Sequence, residues 1–336
     1  MNTEISKVFS HGNLVDINVS MWTGQKLLTP EDLGLKSTDI SSAFSLGKKS
    51  LIPSNVIAEL RSIENKARHV LIENSFAFTF GGARFVPKKT FIKFAEEMEK
   101  YIEKFNYLAD DLAANYNQYR LDMRTEYIAA AREAYARNKT LTKGFDVTED
   151  EFINNFIDRI EKSYPKVEDI RKKFHMEYNV FQVALPDVSQ ASYEDLLEEG
   201  GKVKMMQDAY QKALYKKVNS FVDTCASELR GKATAVLTRF SEALATDKRI
   251  NEASLSSIKN MIEEYERMNF VGDDTFLSYL KSFRIKCIDC FTAKVILTDK
   301  VIKSMIQDEL KKVLNYASDK SAIEELAKRY RMRIGI

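Results

Sequence analysis

The sequence predicts a mainly α protein: long antiparallel coiled-coil helices on a small α+β base that holds a short antiparallel sheet. Three observations carry that prediction. Residues Lys88 to Asn138 run without proline or glycine and place Phe91, Phe94, Met98, Tyr101, Phe105, Leu108 and Leu112 in alternating steps of three and four, the seam of a coiled coil. A second long tract, Ser192 to about Asp247, shows Met206, Tyr210, Leu214, Val218, Val222, Cys225, Leu229, Ala233, Val236 and Phe240 on one face and is the natural antiparallel partner of the first. All five prolines lie before residue 187, and the strand-like segments are confined to the same part of the chain.

The base is read as residues 1–87. Leu14 to Trp22 alternates, with Val15, Ile17, Val19 and Met21 on one side, and is a half-buried strand. Thr29, Pro30 and Glu31-Asp32 suit a short helix that Gly34 stops. Asp39 to Ser50 is read as irregular. Ser54 to Asn74 is an amphipathic helix of period near 3.6, built on Val56, Ile57, Leu60, Ile63, Ala67, Val70 and Leu71. Phe76, Phe78 and Phe80 alternate up to Gly81-Gly82, and Phe85-Val86 follow, a hairpin whose turn needs positive φ.

The second region, residues 88–190, holds the long helix, whose seam shifts after Asn115 to Tyr116, Met123, Tyr127 and Ala130 as a stutter would. Thr148-Glu149-Asp150-Glu151 then opens a helix as a capping box. Pro165 ends it, a short helix starts at Lys166, and His175 to Ala184 is a return strand. The third region, residues 191–336, is helical throughout: the second long tract, then Ser254 to Met268, Asp274 to about Tyr316, and Lys320 to Arg333.

With 51 basic against 49 acidic residues the net charge is +2, so a nucleic-acid surface has to be a local patch. Two such patches stand out. Lys202, Lys204, Lys212, Lys216 and Lys217 crowd one helical segment, and Arg329, Arg331 and Arg333 close the chain. Each has a plainer reading, as a solvated helix face and as charges that favour a helix C-terminus. Trp22, the only tryptophan, either covers the second face of its strand or serves as a contact hot spot.

No catalytic or cofactor-binding constellation emerges. Cys287-x-x-Cys290 lies in a helical run, and Cys225 with three scattered histidines supplies no second ligand pair, so neither metal nor cofactor is expected. Gly81-Gly82 lacks the lysine and Ser/Thr spacing of a phosphate loop. Three cysteines, no signal-peptide pattern and no apolar stretch near eighteen residues point to the cytoplasm and away from the membrane.

The string Val19-Ser20-Met21-Trp22-Thr23-Gly24-Gln25-Lys26-Leu27-Leu28-Thr29-Pro30-Glu31-Asp32-Leu33-Gly34 resembles the opening of the domain of unknown function 3150 family. Leu46-Gly47-Lys48-Lys49 before Pro53, and Phe80-Gly81-Gly82 to Pro87 ahead of a long helix, resemble it too. The resemblance covers the first third of the chain and brings no catalytic residues. It implies a bacteriophage or mobile-element protein encoded near an AAA+ ATPase of the cobalt-chelatase or MoxR kind and a von Willebrand factor A-type protein. The expected function is accordingly a non-enzymatic helical scaffold or adaptor that binds a protein partner, such an ATPase or a second copy of itself. The alternative is a nucleic-acid-binding protein of phage or element replication or recombination.

Overall fold

A computed structural model describes residues 8–30, 46–78, 82–141, 147–181, 200–246 and 250–334. In chain order its strands are β1 (Gly12–Ser20), β2 (Gln25–Leu27), β3 (Lys48–Ser50), β4 (Phe76–Ala77), β5 (Arg84–Pro87) and β6 (His175–Phe181). Its α-helices are α1 (Ser54–Glu73), α2 (Lys88–Leu141), α3 (Glu149–Glu161), α4 (Val167–Ile170), α5 (Gly200–Ala245), α6 (Glu252–Met268), α7 (Asp274–Phe283), α8 (Ala293–Thr298), α9 (Lys300–Ala317) and α10 (Lys320–Ile334). The chain is mainly α with a small antiparallel sheet of order β4-β5-β1-β6. It divides into two compact units: Met1–Asp16, Leu71–Ala95 and Val180–Ile336 form the first, and Ile17–Val70 and Glu96–Asn179 the second. The short helix expected around Glu31-Asp32 lies outside the described residues.

In the first unit the expected hairpin forms. Phe76 faces Phe85 and Ala77 faces Arg84 across β4 and β5, and Gly82 takes φ +78° in the turn. β5 then pairs antiparallel with β1, Gly12 opposite Pro87 and Leu14 opposite Phe85. Leu14 and Val15 are adjacent in sequence and both fully buried, so β1 is covered on both faces here and starts two residues earlier than the alternation of one face suggested. Leu14, Phe76 and Phe85 join one core with Phe221, Val222, Cys225 and Leu229 of α5, Ile258 and Ile262 of α6, and Ile306, Leu310 and Tyr330 of α9 and α10.

The apolar face of α5 is therefore filled from α6, α9 and α10. The tract expected as one helix from Asp274 to Tyr316 is broken twice, although it contains neither proline nor glycine. Asp273, Thr292 and Asp299 each turn a side-chain oxygen onto the first free backbone N–H groups of a new helix, accepting from Phe276, Val295, and Val301 with Ile302. Between α7 and α8 the chain passes through a π turn, Arg284–Ile288, in which the Asp289 N–H reaches the Arg284 carbonyl and the Cys290 thiol donates to Ile285 O.

The first unit is also held by a charge pair that the periodicity of α5 hides. Arg230 and Asp273 are each only 1% exposed and meet in a two-pronged ion pair, Nε–Oδ2 2.6 Å and Nη2–Oδ1 3.0 Å. The Tyr265 hydroxyl donates to the same carboxylate at 2.8 Å, and the Arg230 guanidinium lies over the rings of Phe276 and Tyr316.

In the second unit α2 turns Phe105, Ala109, Leu112, Tyr116 and Met123 inward. Phe105 and Leu112 belong to the expected seam, and Tyr116 and Met123 to its shifted continuation. Farther along, Ala131 packs on Ile153 and Ile157 of α3, while Arg120 pairs with Glu161 at 2.6 Å and Arg132 with Glu149 at 3.7 Å. These contacts run antiparallel, so α2 and α3 make a helical hairpin over this length. Thr148 caps α3 as expected, accepting from Glu151 N. β2 and β3 pair as a separate two-stranded sheet, β3 forming at the end of the stretch from Asp39 to Ser50 that was expected to be irregular, with Gly24 and Gly47 at φ +66° and +85° on its ends.

Arg230→Met strands the Asp273 carboxylate in the core, and urea unfolding is expected to show a loss of about 3–5 kcal/mol. Pairing it with Asp273→Leu is expected to restore part of that loss; strictly additive losses in the double variant would show that the two groups are not coupled.

Candidate docking groove on the first unit

α5 and α6 run side by side in the first unit, and small residues line the space between them. Ala233 and Ala235 on α5 and Ala253, Ser256 and Ser257 on α6 line it, and none has a side chain long enough to fill the gap. The result is an open cavity of about 720 Å³, floored by Leu229, Val236, Met261 and Met268 and closed at one end by Ile72 and Glu73. A second cavity of about 340 Å³ continues it past Phe240 and Ala243 to Asn251, and the two share Val236, Arg239, Ala253 and Ser257. From Leu229 to Ala243 the combined groove follows α5 for about 21 Å at 1.5 Å per residue.

Charges sit along its rim. Lys232 Nζ lies 3.8 Å from Glu264 Oε1 and donates to the Glu73 carbonyl at 3.3 Å. Burial raises the Glu264 pKa above the ordinary carboxylate value, and Lys232 opposes that rise. Arg239, two turns beyond Lys232, donates Nε to its own Ala235 carbonyl at 3.1 Å and has no carboxylate partner among the described residues. Tyr265 belongs both to the groove wall and to the buried network, through its bond to Asp273. A Met-lined apolar floor with charges only at its margins suits an apolar helix face.

The residues singled out from sequence lie elsewhere. Lys212, Lys216 and Lys217 are exposed on α5; Lys202 and Lys204 fall on the same helix, and their side chains lie outside the described residues. The basic tail is engaged by its own chain: Arg329 pairs with Glu325 at 3.7 Å, and Arg331 with Asp223 of α5 at 2.5 Å. Arg333 donates to Phe270 O at 3.1 Å and covers the Tyr330 ring. Trp22 is half-buried and meets Tyr116 edge to face, ring centres 6.0 Å apart. Cys225 and Cys287 are buried and Cys290 exposed; burial pushes the Cys287 thiol up to about 11. Among the described residues no group of three or more His, Cys, Asp or Glu is arranged to hold a metal ion, and no helix is long and apolar enough to cross a membrane.

The groove escaped the sequence reading because its mark is a lack of bulk. Ala233, Ala235, Ala243 and Ala253 read as ordinary helix formers until two helices bring them into one groove.

The raised pKa of Glu264 has a definite sign. Stability that the protonated carboxyl contributes is present below the unfolded value and lost as pH rises through the folded one. Glu264→Gln is expected to raise the melting temperature by about 1–2 °C at pH 7, kept small because the side chain is 39% exposed, and to leave it unchanged at pH 4. A fall at pH 7 would mean that the Lys232 contact outweighs burial.

A family model described as protein of unknown function (DUF3150) matches residues 12–277, a span that contains both walls of the groove. No curated protein and no solved structure matches the chain.

Proposed function

We propose that this chain, which belongs to the DUF3150 family, is a helical adaptor of phage or mobile-element type that works by binding a protein partner rather than by catalysis. The single observation that carries this reading is the open α5–α6 groove, with its apolar floor and its charges at the rim. The partner of choice is the AAA+ ATPase implied by the family resemblance, met in the cytoplasm. An ATPase that changes shape with its nucleotide offers the adaptor a surface that comes and goes, so binding is expected to depend on nucleotide state.

The test is interferometry of the immobilised chain against the neighbouring ATPase with ATP analogue, with ADP and with no nucleotide. Binding in at least one state, lost in Ala235→Trp while circular dichroism is unchanged, is the expected result. Binding in none of the states would remove the ATPase. Full binding by Ala235→Trp would keep the adaptor and move its surface away from the groove.

A second reading, nucleic-acid binding, is favoured by one observation: Lys212, Lys216 and Lys217 are exposed within two turns of α5. With Arg331 and Arg333 tied to the chain itself, those lysines would carry it. A DNA complex that weakens steeply with salt and disappears when the three lysines become glutamate is then expected. No retardation of DNA at low salt would end this reading.

A further inference from the structure

We infer that the occupant of the α5–α6 groove is an amphipathic helix of the partner, about four turns long, which sets a carboxylate against Arg239. This rests on the adaptor reading above and specifies what the partner must present. Length is the first argument. The two cavities share four lining residues and follow α5 from Leu229 to Ala243, about 21 Å, which is the span of about fourteen helical residues. The second is shape. Ala233, Ala235, Ala253, Ser256 and Ser257 lower both walls, so a third helix can approach closely while its apolar anchors, repeating at i, i+3, i+4 and i+7, reach Val236 and the exposed edge of Met261.

Charge supplies the third argument and the polarity of the partner. The Lys232 and Glu264 pair answers itself at one end of the groove. Arg239 stands where the two cavities join, exposed, with only its own helix carbonyl as acceptor among the described residues. A carboxylate at mid-length on the incoming helix would take the remaining guanidinium donors. A lysine there would meet an uncompensated like charge.

The probes are two labelled eighteen-residue helical peptides with identical leucine anchors, one carrying glutamate and the other lysine at the mid-length flank, titrated against the full chain by fluorescence anisotropy. The glutamate peptide is expected to bind about tenfold more tightly than the lysine peptide. Arg239→Glu is expected to reverse that preference, and Ala235→Trp to abolish both complexes, with helicity retained in each variant. Equal affinity of the two peptides, or binding indifferent to Ala235→Trp, would overturn the inference. So would a dimer in light scattering that Ala235→Trp makes monomeric, because a second copy would then be the occupant. Failure of both peptides while the ATPase still binds overturns the helix and leaves the adaptor; failure of the ATPase while the glutamate peptide binds removes the ATPase as partner and leaves the helix.

Discussion

The pairing of Arg230 with Asp273 is the constraint from which the rest of the first unit follows. Two charges with side chains 1% exposed are tolerable only where every polar atom is answered. Asp273 accepts from Arg230 twice, from the Tyr265 hydroxyl and from Phe276 N, and its own N–H is taken by Asn269 Oδ1. Arg230 gives a further bond to Tyr316 O and lies against the rings of Phe276 and Tyr316. Burial works against the guanidinium charge, and the Asp273 carboxylate outweighs it, so the pKa of Arg230 is raised. One ion pair therefore joins α5 to the turn after α6, to the start of α7 and to the end of α9.

That bracing explains how a groove survives between α5 and α6. Helices with small facing residues would ordinarily close until their surfaces met. Here the α6 end is held by Tyr265 on Asp273, and the turn that follows is held from the other side. Phe270 is packed among Phe76, Phe85 and Tyr330, and its carbonyl accepts from Arg333. Gly272, at φ +81°, lets the chain turn under the Arg333 side chain. Arg333, legible in sequence as part of a basic patch, thus acts as a fastener of the loop between α6 and α7, while Arg331 ties the same helix to Asp223 of α5.

Elements governed by near neighbours in the chain were readable. The helix from Ser54, the long helix from Lys88, the Thr148 cap and the Phe76 to Pro87 hairpin depend on periodicity, capping chemistry and a glycine turn, and all occur where those signals lie. The breaks at Thr292 and Asp299 had signals too, an N-cap residue before an apolar pair. Inside a run free of proline and glycine those signals were outweighed by helix-forming content. The candidate site was almost illegible: Lys232, Arg239 and Glu264 look like any solvated helix charges, and the alanines beside them like any helix filler.

By itself the sequence determined the mainly α class, most helix starts, the hairpin and the family, because each depends on residues within a few turns of one another. Tertiary structure alone decided which helices face which. The apolar stripe of α5 fits any complementary stripe equally well on paper, and only packing shows that α6, α9 and α10 fill it. It also decided which charges are internal. Arg230 and Arg239 occupy one helix nine residues apart, and half a turn of difference in facing buries the first against Asp273 while leaving the second at the rim of the groove.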